Sequence, residues 1–220
     1  LNAVAFTIGD YGYLGTGQSA FGYEKDLWRY DRSSDSWSQM ADVDVSGRMG
    51  AFAFAIGDYG YVGGGLDDLA PYNSDLRRYD PVANEWTVMW VNHPCGYGRV
   101  HAAAFAANGK AYMGTGQTPN GHAQDFWEYD PTSNGWSQLT DYPGGERWAT
   151  CAFVVGSKGY VGTGFTNTGS ATNDFFAFDA QTLSWSPISD FGGTERGRAV
   201  SFSLSGKGYV GTGADATEFS

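Results

Sequence analysis

One pattern of strands and turns returns about every 49 residues along this 220-residue chain, and that period limits the possible folds more than any other feature. Tyr-x-Gly-x-Gly begins at Tyr13, Tyr61, Tyr112, Tyr160 and Tyr209, in steps of 48, 51, 48 and 49. An aromatic followed by Asp, with Trp seven residues after the aromatic, stands at Tyr30/Trp37, Tyr79/Trp86, Tyr129/Trp136 and Phe178/Trp185, in steps of 49, 50 and 49. Two unrelated markers in one period define a repeated structural unit and not a bias of composition.

Each unit reads as four short strands. In the second, residues 50–56 are apolar enough to be covered on both faces, and Gly57-Asp58 turns the chain into another β-prone run at 59–63. A longer polar loop leads to 76–79, and Asp80-Pro81 starts the turn into a strand that carries Trp86. Two hairpins per unit make a four-stranded antiparallel sheet. Such sheets, repeated and packed through large aromatics, are the blades of a β-propeller. Composition agrees, since 33 glycines, 16% aromatic and 41% apolar residues suit short strands and tight turns; the fold class expected is all-β.

A Gly pair closing the second strand, then Tyr-Asp or Phe-Asp, then Trp, resembles the kelch repeat over essentially the whole chain. Gly-Thr-Gly begins at Gly15, Gly114, Gly162 and Gly211, and Gly-Gly-Gly at Gly63, which is similar to a bacterial style of kelch array. The resemblance implies one kelch-type propeller segment with blades at about 1–47, 48–98, 99–146 and 147–195 and a partial blade at 196–220. Four complete blades and half of a fifth imply part of a larger, six-bladed ring, with further strands expected upstream. An exported, periplasmic or cell-surface location and a monomeric state are also expected.

Charge narrows the partners. A formal net charge of -11 and a sequence pI near 4.5 repel phosphate backbones and anionic lipid, so neither nucleic acid nor a membrane surface is expected as a partner. The longest apolar runs, 51–56 and 102–107, are strand-sized, far short of the roughly 20 residues that span a bilayer. Cys95 and Cys151 are too few for a disulfide framework and leave the redox compartment open.

In an up-and-down blade, the loop from strand two to three and the loop between blades emerge on one face, and candidate binding residues gather there. Arg48, Arg99, Arg147 and Arg196 each precede the marker Tyr by 13 residues, and Asp26, Asp75, Asp125 and Asp174 precede the marker aromatic by four. Convergent guanidinium groups suit an anionic ligand, whereas matched Arg and Asp in every blade suit structural ion pairs, and the recurrence favours the second reading. Departures from the period are the better pointers to function. The Trp-to-Arg interval is 11 residues in three units but 13 from Trp86 to Arg99, and the longer one holds His93, Cys95 and Tyr97, with His101 and His122 close behind. Their spacing matches no metal-ligand motif, and no metal or cofactor is expected. Loop aromatics Phe21, Tyr23, Tyr72, Tyr97 and Phe165 vary between blades, as a recognition surface on a constant scaffold does.

These features lead to a noncatalytic propeller that binds a protein or carbohydrate through this loop face. The alternative implied by the resemblance is a cofactor-free sugar mutarotase of the N-acetylneuraminate epimerase type. In it Glu146-Arg147 and Glu195-Arg196 would supply acid/base and carboxylate-binding groups. A galactose oxidase-like copper enzyme ranks below both, because Cys151 aligns with Phe52, Ala103 and Val200 in the first strand, where a small buried residue is expected rather than a crosslink.

Overall fold

The computed structural model describes residues 1–90 and 97–215. His93 and Cys95 lie outside the described residues. Four four-stranded antiparallel sheets follow one another in chain order. The first is built from Val4–Ile8, Tyr11–Gly15, Leu27–Asp31 and Ser36–Met40, and the second from Phe52–Ile56, Tyr59–Gly63, Leu76–Asp80 and Glu85–Met89. The third comprises Ala103–Ala107, Lys110–Gly114, Phe126–Asp130 and Gly135–Gln138; the fourth comprises Cys151–Val155, Lys158–Gly162, Phe175–Asp179 and Ser184–Pro187. A two-stranded sheet, Val200–Leu204 with Lys207–Gly211, follows. These are propeller blades, with each strand hydrogen-bonded to the next along the chain. They fall into two compact units, Leu1–Val100 with Thr132–Gly135 and His101–Pro131 with Trp136–Ser220.

Both sequence markers are cross-strand aromatic pairs. The marker Tyr of the second strand stacks on a Phe of the first in every sheet: Phe6–Tyr13, Phe54–Tyr61, Phe105–Tyr112, Phe153–Tyr160 and Phe202–Tyr209 have ring centroids 5.0–5.3 Å apart. The third-strand aromatic meets the fourth-strand Trp in the same way, as in Tyr30–Trp37 at 5.1 Å and Phe178–Trp185 at 5.0 Å. Such pairs contribute beyond the area they bury, roughly 0.5–1.5 kcal/mol each. The Asp after the third-strand aromatic caps the turn that follows it. Asp31 accepts from the Ser33 amide, Asp80 from Val82 and Asp179 from Gln181, at 2.7–2.9 Å. Asp-bearing turns of this kind offer the backbone a local acceptor and reverse the chain sharply.

Within each unit, neighbouring blades interlock through glycine. The first-strand Phe6 lies against Gly60 of the next blade, Phe105 against Gly159 and Phe153 against Gly208; a Cβ at any of these glycines would overlap the ring. Trp side chains add a polar link: Trp86 Nε1 donates to the Ala41 carbonyl at 3.0 Å and Trp185 Nε1 to the Thr140 carbonyl at 3.2 Å. The core of the first unit forms around Val4, Phe6, Tyr13, Leu27, Val62 and Tyr79, and that of the second around Phe105, Tyr112, Phe126, Val161 and Phe178. Gly159→Val is expected to lower stability by about 1–3 kcal/mol through overpacking against Phe105. Adding Phe105→Leu should recover part of that loss, as denaturant melts of the single and double variants will show.

Candidate functional site

The four repeated arginines hold the loop face together. Each backbone carbonyl accepts from the last glycine of the preceding blade's Gly-x-Gly: Gly17 to Arg48, Gly65 to Arg99, Gly116 to Arg147 and Gly164 to Arg196, at 2.7–2.8 Å. The side chains of Arg48, Arg147 and Arg196 donate forward to the carbonyl of the middle residue in their own blade's Gly-x-Gly. Arg48 reaches Gly64 at 3.1 Å, Arg147 reaches Thr163 at 3.4 Å and Arg196 reaches Thr212 at 2.8 Å. Arg48 also grips Asp75 bidentately at 2.7 and 2.9 Å and Asp44 at 2.5 Å, and Arg147 grips both oxygens of Asp174. Burial pulls the Arg48 pKa down, but Asp75 and Asp44 outweigh it and the net direction is up.

These arginines therefore do not form an open, anion-receiving ring. Arg48 and Arg99 are 1% and 0% exposed, and Arg147 is buried as well. Arg196 is turned onto Thr194 and lies over the Phe191 ring, 4.8 Å from its centroid.

Glu146 and Glu195 are exposed, Glu146 accepting from the Asn167 amide. Their absence from the first two inter-blade loops has a steric cause. At the corresponding Gly47 and Gly98, a Cβ would overlap the carbonyls of Tyr23 and Asn73. Cys151 is buried, its thiol accepting from Thr163 Oγ1 at 3.5 Å, and burial pushes its pKa up. Among the loop aromatics, Phe21 is fully exposed, while Tyr23, Tyr72 and Tyr97 are half-buried. Phe165 departs from the sequence expectation of an exposed ring. It is buried between Trp148, 5.1 Å away, and Gly197, whose lack of a Cβ makes room for it.

In the second unit the structure brings His101 and His122 together around Trp148, with ring centroids 5.7 and 6.0 Å from the indole. Arg198 places its guanidinium 5.2 Å from the same indole centroid. The backbone fixes this set: Ala149 N donates to the His101 carbonyl at 3.1 Å and Arg198 N to the Ala149 carbonyl at 2.9 Å. All three residues are left-handed, with φ of 56°, 55° and 58°. Next to His122, Gln117 lies at 3.5 Å, while His122 Nδ1 is buried without a hydrogen-bond partner. Burial, then the nearby Arg198 charge, lowers the His101 pKa to about 4, so its imidazole is neutral at neutral pH. The neutral His101 imidazole, an indole and a cation suit a ring-bearing anion. Among the described residues, no group of three or more His, Cys, Asp or Glu is placed to hold a metal.

The repeat hid Trp148 and Arg198. Trp148 sits where the other units have Met49, Val100 and Gly197, and Arg198 where they have Gly50, His101 and Ala149. Both break the period, which is the signal that singled out the histidines.

Because the fold lowers the His101 pKa from 6.5 to about 4, the unfolded chain binds the proton more readily. Stability is therefore expected to fall as pH drops through 6.5 toward 4, by about 2–3 kcal/mol between pH 7 and 4.5. His101→Asn, which tolerates the left-handed backbone, should remove that part of the acid sensitivity in urea melts at the two pH values.

Comparison with known proteins agrees with this architecture. A family model described as the KLHDC2/KLHL20/DRC7 Kelch-repeats domain matches residues 2–213. Kelch-like protein 25 of Xenopus tropicalis is 30% identical over an alignment 178 residues long that covers 76% of this chain and 29% of that protein, so the chain spans under a third of that relative. The solved structure of YjhT matches with a TM-score of 0.78 at 19% identity, over 91% of this chain and 69% of that one, a likeness of fold. With its repeats matched almost from end to end, the chain belongs to the KLHDC2/KLHL20/DRC7 Kelch-repeats domain family.

Proposed function

We propose that this kelch domain is a noncatalytic binding module that takes a protein partner on the loop face of its first unit. The observation that carries this reading is a set of large apolar side chains left in water there. Phe21, in the strand 2–3 loop of the first blade, is 100% exposed; Leu69, in that of the second, is 81% exposed; Val45, in the loop between the blades, is 87% exposed. Rigid loops present them. Ser46 donates to Asp67 at 3.0 Å, and Asp67 in turn accepts from the amides of Leu69 and Ala70 at 2.8 and 2.6 Å. Exposed apolar tips on a braced scaffold are what a protein interface buries. Asp68 is exposed beside Leu69, so the partner surface that fits combines apolar groups with a basic one.

The mutarotase reading asks Glu146 and Glu195 to do acid/base work beside Arg147 and Arg196. Both acids stand in solvent, and both guanidinium groups are committed to internal acceptors, which favours binding over catalysis.

A photocrosslinking amino acid at position 21 or 69, in the cells that make the protein, is expected to capture one and the same protein, and at position 183 to capture none of it. Phe21→Ser with Leu69→Ser should weaken binding of that protein at least about tenfold while leaving the melting temperature nearly unchanged. Equal capture at all three positions, or undiminished binding by the double variant, would overturn the proposal.

A further inference from the structure

At the opposite end of the first two blades, where the tight hairpin turns lie, there is a cleft of about 580 Å³. Its floor is Tyr13 and Arg29, its walls are Ile8, Tyr11, Pro81 and Val82, and its rim carries Asp10, Asp31 and Asp58 together with the exposed Arg32. Arg29 and Tyr13 face each other across the second and third strands. The Arg29 guanidinium lies over the Tyr11 ring, 4.6 Å from its centroid, and its Nε is buried without a hydrogen-bond partner. Among the described residues no carboxylate pairs with Arg29, although the chain holds 24 acids against 13 Lys and Arg. Stacking on Tyr11 orients the guanidinium and the Tyr13 hydroxyl accepts from it, but one phenol oxygen does not fill the fork that a carboxylate occupies bidentately.

The third blade shows the same place internally satisfied. There Glu128 takes the position of Arg29 and Lys110 that of Tyr11, and the two pair at 2.6 Å. In the fourth blade the position holds Ala177. The unpaired cation is thus a feature of the first unit, where Arg78 stacks on Tyr59 at 4.6 Å in the same manner. At the rim three acids outnumber one cation, Arg32. Asp31 is occupied in capping the Ser33 turn, but Asp10 and Asp58 are exposed in two separate hairpin turns. A simple anion must pass these carboxylates; a ligand that carries its own cation is helped by them.

We propose that this cleft binds a small zwitterion of the amino-acid type, from a free amino acid to a dipeptide. Its carboxylate is received by Arg29, its ammonium faces Asp10 and Asp58, and an apolar side chain lies along Tyr11, Pro81 and Val82. The volume lies within the range of small-ligand sites, and apolar walls around a few placed charges are their usual construction.

Titration calorimetry on the whole chain tests this with four probes: L-leucine, glycyl-L-leucine, N-acetyl-leucine, which lacks the cation, and leucine amide, which lacks the anion. The expected result is that leucine or glycyl-leucine binds at least about tenfold more tightly than either half-charged analogue. Arg29→Gln should abolish that binding, and Asp10→Asn with Asp58→Asn, both exposed positions, should erase the preference for leucine over N-acetyl-leucine. If Arg29→Gln does not fold, Arg29→Lys keeps the charge without the fork and should weaken binding at least about tenfold. No heat from any probe up to about 10 mM, N-acetyl-leucine binding as well as leucine, or an unaltered preference in the Asp10/Asp58 variant would each overturn the proposal.

Discussion

The blades of this domain depend on a left-handed residue held between two glycines at the end of each second strand. Thr16, Thr115, Thr163 and Thr212 have φ of 58–60°, a region that β-branched residues avoid at a cost of about 1–2 kcal/mol, and only the second blade has glycine there, Gly64 at 64°. In the second and fourth blades the conformation persists because both polar groups of that residue are claimed. The amide donates to the carbonyl of the repeated Asp, as from Thr16 to Asp26 at 3.0 Å and from Thr163 to Asp174 at 3.1 Å. The carbonyl receives the repeated Arg, whose guanidinium in the second and fourth blades is locked to that same Asp. The Arg backbone meanwhile accepts from the glycine of the blade before. Gly-x-Gly, Arg and Asp are thus one device. Removing a buried guanidinium from it leaves carboxylates and a carbonyl unpartnered, which costs about 3–5 kcal/mol in comparable ion pairs.

This device explains why so much of the fold was legible from residues alone. The marker Tyr and Trp recur because each is half of a cross-strand pair, and the Asp after the third-strand aromatic recurs because a turn needs its carboxylate. Periodicity reports such contacts because every blade makes them anew. What it cannot report is the meeting of residues from different positions of different repeats. His101 lies just before a first strand, His122 lies in a strand 2–3 loop and Trp148 belongs to the next blade, and nothing in their spacing says that they share one indole. Phe165 illustrates the reverse error. Its loop position suggests exposure, but the glycine at 197 opens a seat for the ring that no other unit's loop aromatic has.

The contrast between glycine and glutamate before the repeated Arg carries a similar lesson. Read along the chain, Glu146 and Glu195 look like acids added to two blades. In the structure it is the other two blades that are constrained, because Gly47 and Gly98 pass against backbone carbonyls and admit no side chain. A residue type that varies between repeats signals function only where the scaffold would have allowed either choice. By that standard the two glutamates are weak candidates, while Trp148 and Arg198 are strong ones. Their counterparts Met49, Val100, Gly50 and Ala149 show that the scaffold accepts very different side chains at those places.

The distribution of charge follows from the same economy of partners. Thirteen basic residues stand against 24 acids, and Arg48, Arg77, Arg147, Lys110 and Lys158 are drawn into pairs within their own blades, Arg48 and Arg77 both with Asp75. The acids left over give the chain its net charge of -11. Against it, a guanidinium with no carboxylate partner is conspicuous, since any flexible acid nearby would gain by reaching it. Arg29 stays unpaired because strand geometry, not chance, keeps it from the rim acids. Its neighbours across the sheet are fixed by register as Tyr13 and Ser38, and its plane is held on Tyr11. A ligand carboxylate reaching that edge competes only with the neutral Tyr13 hydroxyl, whereas one seeking Arg48 or Arg147 must first break a buried ion pair.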